Sequence, residues 1–338
     1  MIGRFTFFSK RRTGILAACA LAALLSACAG TPRRVPHPHG QEAALIPPDT
    51  TLTLSDGARI PVRIWRPPAQ PRAIVLALHG FGDSRDAWEM PAPKLVRQGI
   101  AIFAPDQRGF GQAPGRGGWT STERMVADAR EEAAWLHAQY PATPLFVMGE
   151  SMGGAVALRL DEEPDPTPIA GTILVAPAVW RLDDASRATL AVMDAVAPYW
   201  RFDGSDLPVR IVPSDNLAAL RRLYFDPLTL HSSTLHALHG LVELMAAARA
   251  GATHARLPVL AIYGDNDQLV PPGPMARFWR ALPHAVRRDE IPGGHHLLLR
   301  DRAGARATAD IAAWILRPDH ALPSGGDIAA AAWNAGDP

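Results

Sequence analysis

Short apolar runs alternate with amphipathic stretches along most of this 338-residue chain. Near the start, the segments Thr51–Leu54 and Ile60–Trp65 alternate apolar with polar residues and flank Asp56-Gly57, a dipeptide that is typical of a β-hairpin turn. Later runs are continuously apolar, as expected for strands covered on both faces, and they span residues 73–78, 100–104, 145–148, 171–175 and 258–263. Between them, residues 120–139 carry apolar side chains at helical spacing. The alternation predicts an α/β fold, with a mostly parallel sheet and helices on both faces.

The stretch from residue 178 to residue 255 departs from this alternation. It contains no clear strand, and prolines separate its helical patterns, which cover Leu190–Val196, Leu217–Leu223 and Leu235–Ala250. Because the stretch lies between two strand runs, we interpret it as an inserted helical cap. The alternative is that part of it forms a further layer of the core.

The composition is that of an ordinary globular protein. Of the 338 residues, 48% are hydrophobic and 20% are charged, and the formal net charge is +1. This balance argues against a nucleic-acid partner. The sequence also lacks a C-x-x-C pair of the metal-binding kind, so that no metal site is expected.

The first thirty residues are typical of a targeting segment rather than of a folded domain. Basic residues precede an apolar run at 14–25, which is too short to span a bilayer comfortably. The sequence Leu25-Ser26-Ala27-Cys28 then resembles the lipobox of bacterial lipoproteins. This resemblance implies that residues 1–27 are removed and that Cys28 carries a diacylglyceryl thioether and an amide-linked acyl chain, which anchor it stably in a membrane. The alternative is a plain secretory signal with an incidental cysteine.

A flexible tether is predicted for residues 28–48, which are rich in Pro, Gly, His and Arg. Ala29 follows the proposed anchor, and in the lipoprotein family a residue other than Asp at this position favours the outer membrane. We therefore expect a cell-envelope lipoprotein with its domain in the periplasm or at the surface. Cys19 and Cys28 are the only cysteines, so that no disulfide is expected in the mature chain.

Residues 149–154, Gly-Glu-Ser-Met-Gly-Gly, lie where a predicted strand gives way to an alanine-rich helical stretch. A Gly-x-Ser-x-Gly sequence in this context is typical of a nucleophile elbow, a sharp turn that presents the serine above the carboxyl edge of the sheet. Glycines are needed beside the serine because larger residues would collide with the neighbouring strand and helix. The pattern indicates Ser151 as a nucleophile, and a plain glycine-rich turn or a phosphate-binding loop is the alternative.

A serine hydroxyl needs a general base, and the base needs an acid that orients it. In chains with a nucleophile elbow, the order along the sequence is serine, acid and histidine. Asp265 and Asp267 follow the predicted strand at 258–263, and His295 and His296 follow another strand-like run. These two segments are therefore expected to supply the acid and the base.

Together these motifs make the chain resemble the α/β-hydrolases with a cap, most closely the monoacylglycerol lipase and lysophospholipase group, over residues 50–318. The group's G-x-x-D-x-x-V motif maps its acid onto Asp267, and its histidine precedes an aliphatic pair, as His296 does here. The resemblance leaves Asp265 as a turn residue that bonds the local backbone, and His295 as a neighbour of the base. It also implies that the sheet has eight strands.

An oxyanion hole needs two N–H donors aimed at one point. The first is the backbone of Met152, the residue after the proposed nucleophile. The resemblance maps the second onto Phe81, in the segment His79-Gly80-Phe81-Gly82 that corresponds to the family's H-G-x-G motif. We expect His79 to hold this loop in place rather than to act as a base.

The resemblance implies a serine hydrolase that cleaves carboxylic esters, such as monoacylglycerols or lysophospholipids, through Ser151, His296 and Asp267. It requires no metal or organic cofactor, and the expected partners of the monomer are the ester substrate and the membrane. The predicted organisation is a signal peptide (1–27), a tether (28–48), a hydrolase core in two parts (49–177 and 256–318), the cap (178–255) and a poorly ordered tail (319–338).

Two alternative functions stay open. A proline-type aminopeptidase of the same fold needs a carboxylate in the cap to hold the substrate ammonium, and Glu243 or Asp203 is a candidate. A non-enzymatic envelope lipoprotein on a hydrolase fold is the second alternative, although the intact Ser, Asp and His argue against it. A haloalkane dehalogenase is disfavoured because the elbow carries Ser151 rather than an aspartate.

Overall fold

The computed structural model describes residues 43–162, 167–203, 211–256 and 258–336. The predicted signal peptide, Cys28 of the lipobox and residues 28–42 of the predicted tether lie outside these ranges. None of the helices within them combines the length and the apolar character that a membrane crossing requires.

A central sheet organises the domain. The strands of the described residues are β1 (Thr50–Thr53), β2 (Arg59–Trp65), β3 (Ala73–Leu78), β4 (Ile100–Pro105), β5 (Leu145–Glu150), β6 (Ile169–Val175), β7 (Arg201–Asp203), β8 (Ser232–Thr234), β9 (Val259–Gly264) and β10 (Arg287–Ile291). Eight of them form one sheet in the order β1-β2-β4-β3-β5-β6-β9-β10. Strand β2 pairs antiparallel with β1 and β4, and the other neighbours pair in parallel. The predictions of eight strands and a mostly parallel sheet are confirmed.

Helices connect these strands. Within the described ranges they are α1 (Ala92–Val96), α2 (Thr122–Gln139), α3 (Met152–Glu162), α4 (Asp184–Val196), α5 (Leu217–Tyr224), α6 (Leu235–Gly251), α7 (Pro272–Ala281), α8 (Gly304–Leu316) and α9 (Gly326–Ala335). Four of them begin at a polar residue whose side chain accepts a hydrogen bond from a backbone N–H of the first turn; these residues are Ser121, Asp183, Asn216 and Thr234. Such caps satisfy N–H groups that have no partner inside the helix.

The sheet is buried on both faces, and β3 shows how the sequence achieves this. All six of its residues are buried. Ile74, Leu76 and Leu78 belong to the hydrophobic cluster on one face, together with side chains of α2, α3, α6 and α7. Ala73, Val75 and Ala77 belong to the cluster on the other face, with side chains of α1 and α8. Because strand side chains alternate between faces, a strand covered on both sides has to be apolar throughout.

The predicted cap contains the three predicted helices, α4, α5 and α6, and one feature that the sequence did not indicate. Strands β7 and β8 form a small antiparallel pair apart from the main sheet. Each has only three residues, which is too short to produce a recognisable alternation. The inner face of α6 also joins the main core against α3, with Leu244 and Ala248 fully buried. The alternative of a further core layer therefore holds for α6.

The expectation of a poorly ordered tail at 319–338 is wrong for residues 326–335. Residues Gly326–Ala335 form α9, which packs on β10. Ala330 is buried, and the Trp333 ring lies edge-on to the Trp279 ring at 4.9 Å between centroids. The helix contributes the small side chain of Ala330 to the core, and the partly buried Trp333 packs against the same cluster. In the sequence alone this alanine-rich composition resembles a low-complexity tail, because the surface of β10 that the helix covers exists only in the folded chain.

A buried carboxyl pair lies beneath α9. Asp289 on β10 and Asp310 on α8 are both fully buried. Burial, with further contributions from Asp310 and Asp327, raises the pKa of Asp289 from 3.8 to about 8, and the opposing effect of Arg287 is smaller. Neither carboxylate oxygen of Asp289 has a hydrogen-bond partner within the described residues, whereas Asp310 accepts from the backbone N–H of Ser324 at 2.9 Å. Asp289 therefore holds a proton at neutral pH.

Replacing Asp289 with Asn keeps the shape of the side chain and removes its ionisation. Between pH 3.8 and about 8, the folded chain holds a proton that the unfolded chain has released. The wild-type free energy of unfolding therefore falls as pH rises through this window, by at most about 1.4 kcal/mol per pH unit. Urea unfolding at about pH 5 and about pH 8 should show the variant gaining stability relative to wild type as pH rises.

Asp319→Asn, at an exposed position beyond α8, is the matched control and should follow the wild-type pH dependence. Parallel stability curves for wild type and Asp289→Asn would contradict the raised pKa of Asp289.

Candidate active site

The turn between β5 and α3 has the geometry of a nucleophile elbow. Ser151 has a φ of +53°, in the left-handed region that a serine rarely adopts. A Cβ on Gly149 would overlap the backbone carbonyl of Gly153, and a Cβ on Gly153 would overlap the carbonyl of Leu78 at the end of β3. Glycine is required at both positions because backbone atoms already occupy the space. The predicted elbow turn is confirmed.

Hydrogen bonds fix the backbone of Ser151 on three sides. Its N–H donates to the carbonyl of Val175 at 2.9 Å, and its carbonyl accepts from Ala155 and Ala178 at 3.1 and 2.9 Å. The side chain is only partly buried. A Cβ built on Gly80 would lie 3.5 Å from the Cβ of Ser151, so that the loop after β3 borders the serine.

His79 holds that loop, as the sequence predicts. The buried ring accepts a hydrogen bond at Nε2 from the N–H of Gln107 at 3.0 Å, and Nδ1 lies 2.8 Å from the carbonyl of Gly80. These partners place the ring proton on Nδ1, and burial lowers the pKa of His79, which therefore stays neutral. Next to it, the partly buried Phe81 ring packs edge-on against Phe110 at 5.3 Å between centroids.

His296 and Asp267 form a buried pair. Nδ1 of His296 lies 2.8 Å from Oδ2 of Asp267, and both residues are buried. The other carboxylate oxygen of Asp267 accepts from the N–H groups of Leu269 and Val270 at 2.8 and 2.9 Å. Burial opposes protonation of His296, but the carboxylate of Asp267, helped by Glu150, outweighs it and raises the pKa of His296.

The other histidine and aspartate of these two loops have different partners. His295 places Nδ1 3.0 Å from Oδ2 of Asp301. Asp265 accepts from the N–H of Gly293 at 2.6 Å. The structure therefore pairs Asp267 with His296, as the resemblance implies. The expectation that Asp265 bonds its own local backbone is wrong. It braces instead the loop after β10, which carries His295 and His296 and is called the histidine loop below.

Backbone contacts join the histidine loop to the acid loop, which is the connection after β9 that carries Asp267. The N–H of Asn266 donates to the carbonyl of Gly294 at 2.9 Å. The two loops approach so closely that a Cβ on Gly264 would overlap the backbone of Gly294. The loops follow β9 and β10, and the elbow follows β5, at the same carboxyl edge of the sheet. Ser151, Asp267 and His296 all lie on connections at this edge.

Residues 212–216, which we call the cap strap, bind both loops. The N–H of Val212 donates to the side chain of Gln268, next to Asp267, at 2.9 Å. The N–H of Leu297, next to His296, donates to the carbonyl of Pro213 at 2.8 Å. The cap strap thereby connects the cap to the two segments that carry the acid and the base.

The cap strap also contributes to the one potential metal-ligand group in the described part of the chain. Side-chain atoms of Asp215, His295 and Asp301 lie within 4.8 Å of one another. Protein groups already engage them, since Asp301 accepts from Ser214 Oγ at 2.8 Å and Asp215 accepts from the N–H of Arg302 at 2.9 Å. These contacts account for the cluster as a brace between the cap strap and the histidine loop.

Sequence reasoning missed a second buried charged cluster at the site. Arg300 places Nη1 2.7 Å from Oδ2 of Asp83 and Nη2 2.6 Å from Oε2 of Glu150. We call Asp83, Arg300 and Glu150 the buried ion triad. The sequence offered two signals for this cluster. Arg300 directly follows the apolar run at 297–299, and Glu150 lies inside the glycine-rich elbow sequence. Neither residue belongs to a motif that names a partner.

A serine on a strand-to-helix elbow, with a histidine–aspartate pair at the same carboxyl edge of a mostly parallel sheet, is the arrangement of the α/β-hydrolase fold. Solved structures share this fold. The chain superimposes with a TM-score of 0.65 and 23% identity on the monoacylglycerol lipase of Paleococcus ferrophilus, covering 76% of this chain and 98% of that one. A soluble variant of the monoglyceride lipase of Saccharomyces cerevisiae gives 0.68 and 21%, covering 83% and 98%.

Within this class, the chain belongs to the family described as serine aminopeptidase, S33 (Hydrolase_4), which matches residues 69–303. It is 26% identical over 269 residues to the monoacylglycerol lipase of Mycolicibacterium smegmatis, covering 77% of this chain and 94% of that protein. It is 30% identical over 253 residues to the monoglyceride lipase of Rattus norvegicus, covering 71% and 77%.

Gly153→Ala tests the close approach at the elbow. The added methyl group would meet the carbonyl of Leu78, which β3 holds in the sheet, so that backbone has to move. We expect the free energy of unfolding to fall by about 3 kcal/mol or more, measured by denaturant unfolding.

Gly273→Ala is the matched control. It lies in α7, where the nearest atom to an added Cβ is the flexible end of Arg277 at 3.6 Å. It should be neutral or stabilising by less than about 1 kcal/mol. Equal stability of the two variants would contradict the steric requirement at residue 153.

Proposed function

We propose that this protein is a serine hydrolase that cleaves carboxylic esters of lipids, with monoacylglycerols or lysophospholipids as the substrate class. The observation that carries the proposal is the buried hydrogen bond between His296 and Asp267, at the sheet edge where Ser151 lies on a nucleophile elbow. The relatives named monoacylglycerol lipase and monoglyceride lipase support the same substrate class.

In the proposed mechanism, His296 is the general base for Ser151. Its Nδ1 faces Asp267 at 2.8 Å, which leaves Nε2 as the nitrogen that accepts the serine proton. Ser151 Oγ then attacks the ester carbonyl, and the imidazolium gives its proton to the leaving alcohol. Water repeats the sequence on the acyl-enzyme and restores the free serine. Asp267 fixes the tautomer and stabilises the imidazolium that forms in each half of the cycle.

The oxyanion of each tetrahedral intermediate is assigned to the N–H groups of Met152 and Phe81. Met152 is the first residue of α3, so that its N–H belongs to the first turn, whose N–H groups have no partner inside the helix. Phe81 lies on the loop that borders Ser151. Donors that are held in place before the reaction stabilise developing charge without further reorganisation.

Solvent-exposed apolar side chains in the cap are compatible with a lipid substrate. They are exposed around the end of α4 and in the turn after it, and they are Val192, Met193, Val196, Tyr199 and Trp200. Other apolar residues of the cap, such as Leu190 and Met245, are buried and pack the cap internally or onto the core. The exposed group offers an apolar surface that a soluble, polar substrate would not require.

A proline-type aminopeptidase is the weaker proposal, although the family description includes aminopeptidases. It would need a cap carboxylate to bind a substrate ammonium. Glu243 already binds Arg187 with both carboxylate oxygens, at 2.8 and 2.7 Å. The lipase relatives also favour ester cleavage.

We further propose that the chain is a cell-envelope lipoprotein, anchored in the outer membrane through acyl chains on Cys28. The lipobox sequence at residues 25–28 supports this anchoring, and Ala29 favours the outer membrane. An enzyme held at a membrane meets lipid esters at the surface where they are concentrated.

Ser151→Ala tests the nucleophile and the substrate class together. The wild type should hydrolyse a panel of monoacylglycerols and lysophospholipids of graded chain length faster than a proline p-nitroanilide. The variant should lose about 10⁶ in kcat and all labelling by a fluorophosphonate, because no other group replaces the serine oxygen.

His296→Gln should be as inactive as Ser151→Ala, whereas the adjacent His295→Gln should keep kcat within about tenfold of wild type. Preference for the peptide substrate would support the aminopeptidase instead. Fluorophosphonate labelling of Ser151→Ala, or full activity of His296→Gln, would exclude the assigned residues.

Cys28→Ala tests the membrane anchor. Expressed in a bacterium with lipoprotein processing, the wild type should incorporate radiolabelled palmitate, and the variant should incorporate none, because the thioether has no acceptor. Cys19→Ala is the matched control and should retain the label. Equal labelling of Cys28→Ala and wild type would contradict lipidation at this residue.

A further inference from the structure

We infer that Arg300 is a positioning residue for the reaction, because its guanidinium joins the three segments that carry Phe81, Ser151 and His296. The inference rests on the proposed function, since it concerns the same serine, histidine and oxyanion donors. Arg300 does not need to touch substrate in this role. It acts through the backbone and the charge of the groups that it binds.

The buried ion triad links the loops at close range. Asp83 lies two residues after Phe81, Glu150 directly precedes Ser151, and Arg300 lies four residues after His296. The side chains of Arg300, Asp83 and Glu150 are 7%, 8% and 3% exposed, so that water screens them little. A guanidinium reaches two carboxylates on different segments with two separate nitrogens held in one plane, whereas a lysine would have to bind both from a single nitrogen.

Each carboxylate of the triad is tied to the backbone that it has to position. The N–H of Asp83 donates to the carbonyl of Gly80, the residue that borders Ser151, and Asp83 accepts from the N–H of Ser84 at 2.9 Å. Glu150 is the last residue of β5, where it pairs with Val175 of β6, and it directly precedes Ser151. Holding these two carboxylates therefore restrains the segments that carry the proposed oxyanion donor Phe81 and the serine.

The histidine end is fixed in the same manner. Arg300 closes the short 3₁₀ helix Leu298–Arg300, and its N–H donates to the carbonyl of Leu297. Its own carbonyl accepts from the side-chain amide of Asn216 in the cap strap at 2.8 Å. The guanidinium and the backbone of Arg300 thus connect the histidine loop to the elbow, to the cap and to the loop after β3 that carries Phe81, which we call the oxyanion loop.

Stability alone does not account for this cluster. Burying charges costs free energy that ion pairing often only balances, and apolar replacements are frequently as stable. The triad carries two carboxylates and one guanidinium, and Oε1 of Glu150 makes no hydrogen bond within the described residues. An incompletely satisfied buried cluster is expected where geometry and charge at a site matter more than the free energy of unfolding.

The charges of the triad also act on His296. The groups that bear on its ring are Asp267 and Glu150, which favour its protonated form, and Arg300, which disfavours it. Burial raises the pKa of Glu150, and Arg300 counteracts this by favouring the carboxylate. Within the triad, Arg300 therefore favours the charged form of Glu150, and that carboxylate in turn favours the imidazolium of His296.

Two variants test the inference. In Arg300→Lys, a single nitrogen replaces the two that bind Asp83 and Glu150 separately, so that the carboxylates shift, and kcat should fall about tenfold to a hundredfold while KM changes much less. In Glu150→Gln, the negative charge near His296 is lost, so that the pKa of His296 falls. Because the base must be neutral to act, the acid limb of kcat/KM and of the fluorophosphonate labelling rate should move to lower pH.

Matched controls separate positioning from folding. Arg288→Lys replaces a partly buried arginine on β10 that binds carbonyls such as that of Trp279, and Glu290→Gln replaces a buried glutamate on the same strand. Both should alter thermal stability without altering kcat or the acid limb. If Arg300→Lys does not fold, Glu150→Gln still decides the question through its pH profile.

Variants that change only thermal stability, with kcat and the acid limb as in wild type, would overturn the positioning role of Arg300 and leave the proposed function intact. Wild-type protein that is not labelled at Ser151 by the fluorophosphonate would overturn the proposed function, and this inference with it. Labelled wild type with the expected loss of kcat and the expected pH shift would establish the role.

Discussion

The site depends on one constraint, which is the close packing of β3, β5 and the first turn of α3 around residues 149–153. The first turn of α3 is stacked so tightly on β3 and β5 that glycine is the only residue that fits at 149 and 153. This contact forces Ser151 into a left-handed conformation and brings the loop that begins at His79 against the serine. A turn with side chains at these positions would separate helix from strand, and the oxyanion loop would no longer border the nucleophile.

Two buried histidines at this sheet edge show how the partner, rather than burial, decides the charge state. His79 faces a carbonyl and a backbone N–H, so that burial dominates, its pKa falls and the ring stays neutral. His296 is equally buried but faces the carboxylates of Asp267 and Glu150, and its pKa rises. The neutral ring suits a fixed hydrogen-bonding brace, and the ring with a raised pKa suits a group that has to hold a proton transiently.

Sequence patterns predicted the elements that bury whole runs of residues, and the limits of that prediction follow from length and context. The apolar runs at 73–78 and 145–148 had to be covered strands, and glycines around Ser151 had to make a turn. By contrast, β7 and β8 are too short to show periodicity, and α9 buries an alanine and packs a tryptophan against a surface that only the folded chain provides. The buried ion triad joins residues 83, 150 and 300, which are far apart in the sequence, and no local pattern encodes that contact.

The cap strap limits how the cap can move during a reaction cycle. Val212, Pro213 and Asn216 bond to the acid loop, to the histidine loop and to the carbonyl of Arg300. A rigid displacement of the whole cap would break these bonds and pull on the segments that carry Asp267 and His296. The inner face of α6 is equally fixed, because Leu244 and Ala248 belong to the core. Opening that preserves the base must therefore leave the cap strap and α6 in place, and α4 can take part only by breaking its contacts with α6, such as the Arg187–Glu243 ion pair.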